Sequence, residues 1–453
     1  MAGDNPTATL PRSTRGGGEE GRHRSHVPGP RSPKAWQFLR WTSDPIDYPE
    51  ACQRRYGSVF ALRTFLFDRI VCVTDPDDVK AVLTESETYR GGDMPRKLAE
   101  PVVGKTSITT TNGETHMRQR KLLLPPMHQD LVARWTERIE AIATPHLAEL
   151  PLGTPTAMRP VMQQITLEII CRVVFGAESK QQSAGLAQAL THMLDARFAP
   201  LLLFPGVLKR NGRLSPARPY LRRRARVHAL IGELIAERRC AEDLEQREDV
   251  LSMLVAARDE KGRGFTDVEL RDQLMSLLLA GHDTTATGLA WALERLSRNP
   301  RVQQRLREEV GEGGSEYLSA VVDETLRVRS PAFGVPRMTA RETELGGYRL
   351  PPETSILAMA VLTQRRPDLW PEPLEFKPER FLGDKPTSYS YVPFGGGIRR
   401  CIGASLALLE MRLVLKEFAR RFELRPAPGR EEVARMFGVT LVPSKGGTVV
   451  VTR

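Results

Sequence analysis

A glycine-rich segment around Cys401 carries the residue types that most clearly indicate chemistry. Residues 394–403 read FGGGIRRCIG. The glycines let the backbone turn tightly and approach a flat cofactor, Phe394 can shield a sulfur atom, and Arg399 can reach a carboxylate. A cysteine thiolate fixed on such a turn is a strong, electron-releasing iron ligand. The alternative is a glycine-rich turn with an incidental buried cysteine.

A second segment, residues 280–285 with the sequence AGHDTT, places an acid beside an alcohol. We expect Gly281 to open a gap beside a helix, with the hydroxyl of Thr284 facing that gap and Asp283 next to it. This pattern predicts proton delivery, in which the alcohol holds a water molecule and the carboxylate recharges it. Alternatively, Thr284 bonds back to the carbonyl four residues earlier and Asp283 is simply solvated.

Four basic residues form a candidate set of donors to an anionic cofactor. His116 and Arg120 are four residues apart and therefore share one face of a predicted helix. Together with Arg337 and Arg399 they are suited to bind two propionates. Taken singly, each of these residues could equally be a solvated surface residue.

Glu324 and Arg327 are three residues apart and lie on one face of another predicted helix. Arg380, from a proline-bounded loop, can complete a buried ion network with them. An isolated E-x-x-R pattern is common and more often gives a surface pair. The predicted role of these three residues is structural.

The elements that position these residues are mostly helical. The clearest helix covers residues 266–298, because Thr266 and Glu269 form a capping box and Asn299-Pro300 ends the pattern. Its 32 or so residues would span about 48 Å. Residues 56–73 predict a hairpin of two strands, and the chain ends in short extended segments. The expected fold class is mainly α with a small β component.

Composition limits the protein class. The 453 residues are 40% hydrophobic and 27% charged, as in a soluble protein, and include no run of about 18 apolar residues that could cross a bilayer. The first 27 residues lack an apolar signal-peptide core and predict a disordered tail. The five cysteines suggest neither disulfides nor a zinc site, which predicts a reducing, cytoplasmic location.

The net charge of +11 indicates an acidic partner or an anionic lipid surface. Nucleic acid is not expected as a partner, because the basic residues lack interleaved aromatic residues and form no nucleic-acid motif.

Together these segments resemble the cytochrome P450 family of haem-thiolate monooxygenases, over roughly residues 28–453. The E-x-x-R motif is present in full at Glu324 and Arg327, and the P-E-R-F motif is present in full at residues 378–381. Residues 280–285 match [AG]-G-x-[DE]-T-[TS]. One departure is Gln364, where related sequences often carry His. The cysteine loop matches the pattern F-x-x-G-x-[RH]-x-C-x-G at Phe394, Gly397, Arg399, Cys401 and Gly403.

The resemblance implies a single-domain fold with haem b between the long helix and the cysteine loop. Cys401 would be the proximal iron ligand, and Asp283 and Thr284 would relay protons during oxygen activation. Electrons would come from a separate partner, a ferredoxin with its ferredoxin reductase or a flavodoxin. Arg400, Arg412 and Arg118 are candidates for a basic surface on which an acidic ferredoxin docks, the alternative being an ordinary solvated surface. The alternatives are a haem-thiolate peroxygenase or isomerase, and a haem-based ligand sensor without turnover.

The substrate is expected to be a hydrophobic small molecule, such as a terpenoid, a fatty acyl chain or a steroid. An apolar segment at residues 198–208 predicts a mobile lid. The basic segment that follows, residues 209–226, could contact anionic lipid headgroups peripherally, bind a fatty-acid carboxylate, or be an ordinary solvated face. The predicted pocket residues are mostly apolar and include Ala280, Phe333, Val335 and Phe437.

Overall fold

The computed structural model describes residues 26–453 except 66, 178–179, 194–214, 216 and 384–385. The predicted tail up to residue 25, the predicted lid and the basic segment up to residue 214 therefore lie outside the described residues. The α-helices are α1 (Lys34–Ser43), α2 (Asp47–Tyr56), α3 (Pro76–Thr84), α4 (Asp93–Val103), α5 (Gly113–Leu123), α6 (Gln129–Ala133), α7 (Thr136–Ala148), α8 (Met158–Ile169), α9 (Lys180–Met193), α10 (Arg218–Arg239), α11 (Val250–Ala256), α12 (Asp267–Arg298), α13 (Pro300–Gly311), α14 (Glu316–Val328), α15 (Ala360–Thr363) and α16 (Ala404–Arg421).

The β structure is small. The strands in the described residues are β1 (Val59–Leu62), β2 (Ile70–Val73), β3 (Tyr89–Arg90), β4 (Pro155–Ala157), β5 (Val335–Thr339), β6 (Thr343–Leu345), β7 (Tyr348–Leu350), β8 (Ser355–Ala358), β9 (Glu423–Pro426), β10 (Ala434–Phe437), β11 (Thr440–Pro443) and β12 (Thr448–Thr452). A five-stranded sheet has the order β1-β2-β8-β5-β3, with β2 and β8 parallel and the other pairs antiparallel. The predicted hairpin is confirmed as β1 and β2, in which Phe60 pairs with Cys72. The mainly α fold class is also confirmed.

Helix α12 is the long helix expected from the sequence, and it lies in the main hydrophobic core. Thr266 is its N-cap and forms the predicted capping box with Glu269, while Asn299 is its C-cap. Most of its C-terminal half is fully buried, as expected for a helix packed on all sides.

Gly281 of α12 faces a neighbouring helix on one side. A Cβ atom at this position would lie 2.8 Å from Cδ1 of Ile170, in the π-helical turn Ile170–Val174 that continues α8. The glycine therefore allows α8 and α12 to pack closely. That it also opens a gap for a ligand stays a prediction.

Candidate active site

The loop that carries Cys401 is a tight, hydrogen-bonded turn. Three backbone hydrogen bonds fold it: from Gly395 to Val392 (3.0 Å), from Arg400 to Gly397 (3.1 Å) and from Cys401 to Phe394 (2.9 Å). Gly397 has a φ of 63°, and a Cβ atom there would lie 2.1 Å from the carbonyl oxygen of Leu83. Only glycine fits this position, so the loop depends on the residue that the sequence pattern contains.

The thiol of Cys401 faces an internal space. Its side chain has accessible surface, yet burial raises the pKa of this thiol above its ordinary value. The backbone N–H of Gly403 and the charges of Arg400 and Arg120 act in the opposite direction and lower that pKa. Helix α16 begins at Ala404, so its N-terminal dipole also favours the thiolate. A bound metal ion would deprotonate such a thiol outright.

One face of α12 is accessible although the helix is central. Ala280 is exposed, and Leu277 and Thr284 are half-buried, while the neighbouring Leu278 and Thr285 are buried. These three residues, together with half-buried Gly281, have the spacing of a single helical face. That face is therefore accessible, although α12 lies in the main hydrophobic core.

The predicted catalytic acid, Asp283, is held in place by neighbouring side chains. Arg159 Nη2 donates to Asp283 Oδ1 at 2.6 Å, and Gln163 Nε2 donates to the same oxygen at 2.8 Å. No described residue donates to the other carboxylate oxygen, Oδ2. Asp283 is therefore ion-paired rather than simply solvated.

The hydroxyl of Thr284 donates to the carbonyl of Ala280 at 2.6 Å. This is the backward bond that the sequence left open as an alternative. The bond fixes the rotamer of Thr284 on the accessible face of α12. The oxygen of the hydroxyl keeps its capacity to accept a hydrogen bond.

The predicted basic residues form one electrostatic cluster. Burial, followed by the charges of Arg399, Arg120 and Arg337, lowers the pKa of His116 to about 3. Burial and the charge of Arg399 lower the pKa of Arg337 to about 10. His116 Nδ1 and Arg337 Nη2 are both buried without a hydrogen-bond partner. Buried donors without partners are rare, so this cluster is suited to bind a dianion.

Arg399 also contacts protein groups. It donates to the side-chain oxygen of Asn112 at 2.8 Å and to the backbone carbonyl of Thr111. Burial is the main cause that lowers its pKa to about 10, while the carboxylate of Asp93 raises that pKa. Arg399 thus anchors the cysteine loop to the segment before α5.

A cytochrome P450 family model matches residues 28–451. The chain belongs to the cytochrome P450 family. The putative cytochrome P450 135B1 of Mycobacterium tuberculosis is 39% identical over 430 residues, which are 93% of this chain and 90% of that protein. The putative cytochrome P450 137 of the same species is 35% identical over 398 residues, which are 87% and 83% of the two chains.

Solved P450 structures share the fold. The cyanobacterial CYP120A1 with bound retinoic acid superposes with a TM-score of 0.81 at 23% identity, over 95% of this chain and 99% of that one. The haem domain of cytochrome P450DA gives a TM-score of 0.83 at 22% identity, over 95% and 98%. The single-domain P450 fold expected from the sequence is confirmed.

Cytochrome P450s are haem-dependent monooxygenases, and the residues of this P450 fit a haem. Cys401 would offer a thiolate to the iron. His116 and Arg337 would offer unpaired buried donors to the two propionates, beside the half-buried cation Arg120. When bound, haem would supply the oxygen and electron chemistry. This chain would supply the ligand, the anion site and the acid–alcohol pair.

The E-x-x-R helix of this P450 forms a buried ion network. Arg327 Nε and Nη2 donate to the two carboxylate oxygens of Glu324 at 2.6 and 2.8 Å, and both side chains are fully buried. Arg380 Nε lies 3.4 Å from Glu324 Oε1. Arg327 also stacks on Trp370 at 5.0 Å. The network has the geometry expected of its predicted structural role.

Three of the predicted pocket residues, Phe333, Val335 and Phe437, lie on two segments that a β-bridge joins. Val335 lies beside the cysteine loop, since a Cβ atom at Gly395 would be 3.5 Å from it. Phe333 packs against Trp41 of α1 at 5.8 Å between ring centroids. Ala332 forms a β-bridge with Thr440, which tethers the β10–β11 hairpin to this segment.

Phe437, at the tip of the β10–β11 hairpin, packs against the arginine that pairs with the predicted catalytic acid. Its ring centroid is 5.1 Å from the guanidinium carbon of Arg159, the residue that pairs with Asp283. The structure thus brings Phe437 and Asp283 together through one arginine.

Sequence analysis missed Arg159, Gln163 and the role of Gln364. Arg159 and Gln163 lie on α8, one helical turn apart, and are 124 and 120 residues from Asp283 along the chain. No local motif marks them, so only the packing of α8 on α12 reveals them.

Among the described residues, no helix is long and apolar enough to cross a membrane.

Proposed function

We propose that this P450 binds haem b and hydroxylates or epoxidises an apolar small molecule of terpenoid, fatty acyl or steroid type. The observation that carries this proposal is the accessible face of α12, where Leu277 and Ala280 present only hydrocarbon next to Thr284. An apolar wall of this kind favours an apolar ligand. The structural neighbour CYP120A1, which is crystallised with retinoic acid, has the same fold.

Substrate binding is tested by the low-to-high-spin absorbance change of the haem. A panel of terpenoids, fatty acids and steroids should contain compounds that give this change in the native protein. Ala280→Leu should weaken or abolish the change because the larger side chain occupies the wall, whereas Ala133→Leu, at an exposed position outside the predicted pocket, should not. A response only to small polar compounds would refute the proposed substrate class.

The proposed proton route uses Asp283 and Thr284. Arg159 and Gln163 fix Asp283 Oδ1 and leave Oδ2 without a protein donor. The Oδ2 atom is thus available to exchange protons with water. Thr284 can accept a hydrogen bond from that water while its own hydrogen is directed to Ala280. Peroxygenases and isomerases of this family typically lack such an acid–alcohol pair, so its presence supports the monooxygenase.

The proposed electron donor is an acidic ferredoxin, supplied with electrons by its reductase, or a flavodoxin. Arg400 is exposed in the cysteine loop, and Arg412 is half-buried on α16, the helix that follows this loop. Arg118, also expected on this surface, is instead committed to structure, because it pairs with Asp259 at 2.9 Å and with Glu269 at 3.0 Å. The proposed basic docking surface therefore contains Arg400 and Arg412 but not Arg118.

Electrostatic docking predicts a salt-dependent reduction rate. Arg400→Gln should slow reduction by an acidic ferredoxin at low ionic strength, whereas Arg349→Gln, at an exposed residue paired with Glu342, should not. A rate that is independent of salt would remove the basic surface from the proposal. If reduced ferredoxin supports no substrate-dependent NADPH consumption, a ligand sensor becomes the better interpretation.

A further inference from the structure

Gln364 connects the buried ion network to the cysteine loop. Its side chain is fully buried. The amide nitrogen donates to the carbonyls of Leu326 at 3.1 Å and Arg327 at 3.2 Å, while the amide oxygen accepts from the backbone N–H of Val392 at 2.9 Å. One side chain therefore joins α14 to the segment that leads into the cysteine loop.

Both ends of this connection need a partner. Leu326 and Arg327 lie in the last turn of α14, where backbone carbonyls have no partner within the helix. Val392 begins the turn of the cysteine loop, because its carbonyl accepts the N–H of Gly395. Two residues further on, Phe394 accepts the N–H of Cys401. A displacement of Val392 would thus be transmitted to the ligand loop through two hydrogen bonds.

A primary amide is well suited to this position because it is both donor and acceptor without carrying charge. The backbone carbonyl of Gln364 also accepts from Arg327 Nη1 at 2.8 Å, so a buried guanidinium lies close by. A protonated imidazole here would lose the acceptor for Val392 and add a second buried cation. A carboxylate would lose both donors. Only the amide satisfies all three backbone groups at every pH.

We propose that Gln364 is a positioning residue for the Cys401 thiolate, and that it holds the loop in a way that does not depend on pH. The inference rests on the proposed ligation of haem iron by Cys401. The two ideas can be tested separately. Amide exchange at Val392 reports its hydrogen bond to Gln364, whereas the haem spectrum reports ligation by the Cys401 thiolate.

The experiment compares the native protein with Gln364→Leu, Gln364→His and the control Thr363→Val. Thr363 is adjacent and fully buried, but its hydroxyl bonds to Thr74 at 3.0 Å and Met359 at 3.2 Å, and makes no bond to the cysteine loop. For each haem-loaded variant, the rate at which the reduced carbon-monoxide complex loses its thiolate-type Soret band is measured at pH 8 and pH 5.5. Amide hydrogen exchange of Val392 and the urea midpoint are measured in parallel.

Gln364→Leu should lose the thiolate band at least roughly tenfold faster than the native protein, since a buried N–H is left unpaired. Exchange at Val392 should rise by a similar factor. Gln364→His should behave almost like the native protein at pH 8 and lose the band faster as the pH falls below about 6.5, where an imidazole released from its buried site takes up a proton and favours the opened loop. Thr363→Val should keep the native rate of band loss even where its urea midpoint is lower.

The inference is overturned if Gln364→Leu and Thr363→Val lose the band at equal rates for equal midpoints, or if Gln364→His shows no pH step. If Gln364→Leu does not fold, the pH step of Gln364→His decides alone. If the native protein itself shows no thiolate band, the proposed function fails, and Val392 exchange still reports whether Gln364 holds the loop.

Discussion

Removal of the charge on Glu324 tests how much of the stability of this P450 resides in its buried ion network. Glu324→Gln keeps the size of the side chain and removes the negative charge. Arg327 remains fully buried, and its two short hydrogen bonds, of 2.6 and 2.8 Å, lose the negative charge of their acceptor. The N–H of Lys377, which donates to Glu324 at 2.8 Å, and the guanidinium of Arg380 lose the same carboxylate.

The expected loss of unfolding free energy follows from these contacts. Each charge-assisted hydrogen bond contributes about 1.5–3 kcal/mol, and removal of one partner of a buried pair costs about 3–5 kcal/mol. We therefore expect a loss of about 3–5 kcal/mol, against a total stability of about 5–15 kcal/mol for a folded protein. Arg349 and Glu342 form a pair of the same 2.6 Å length with 60% and 52% of the side chains exposed, so Glu342→Gln should cost less than about 1 kcal/mol.

The assay is urea denaturation of the haem-loaded proteins, followed by far-UV circular dichroism, with the carbon-monoxide spectrum recorded at each step. Glu324→Gln should shift the midpoint well below that of Glu342→Gln and should lose the thiolate-type Soret band at lower urea. Equal midpoints for the two variants would refute the argument, because they would show that burial of Arg327 without its partner has no cost.

Three further predictions concern the site. Cys401→Ser should abolish the red-shifted Soret band of the reduced carbon-monoxide complex, whereas replacement of any other cysteine should keep it; a band that persists in Cys401→Ser would contradict the ligand assignment. Thr284→Ala should retain haem and substrate binding but divert reducing equivalents to hydrogen peroxide, and an unchanged yield of product per NADPH would point to another proton route. The haem-free protein should lose stability as the pH falls from about 6.5 towards 3, because an unfolded histidine takes up a proton near 6.5 and folded His116 does so only near pH 3. His116→Gln should reduce this dependence in pH-dependent urea denaturation without removing it, because burial also lowers the pKa values of His228 and His282; the same change at exposed His128 should leave it unaltered.

Local signals in the sequence were sufficient for the elements of the site. The capping box of Thr266 and Glu269 fixes where α12 begins, because both partners lie within one turn. The loop of Cys401 was predictable for a similar reason, since Gly397 is required by a positive φ and by contact with Leu83. Such features depend on residues that are close in the chain or on a backbone conformation that only one residue type adopts.

Partners that are distant in the chain were not predictable. In the sequence, Arg118 resembles an unpaired surface cation. In the structure it forms an ion pair with Asp259, which is 141 residues away along the chain. Gln364 looks like a neutral substitution, yet its three bonds reach Leu326, Arg327 and Val392. Neither role has a local pattern, because each depends on which helices and loops pack together.

The two interpretations of Thr284 that the sequence left open are compatible in the folded protein. A hydroxyl has one hydrogen to donate and two lone pairs that accept. The bond to Ala280 uses the hydrogen and leaves the lone pairs, so the backward bond orients the group that must hold a water molecule. Arg159 and Gln163 treat Asp283 similarly, since both bind Oδ1 and neither binds Oδ2. In both Thr284 and Asp283, hydrogen bonds within the protein hold the side chain in place. They leave the lone pairs of the Thr284 hydroxyl and the Oδ2 atom of Asp283 available to water. A variant that removes one of the two bonds to Oδ1, such as Arg159→Met, should therefore lower the yield of product per NADPH while Asp283 and Thr284 are both still present.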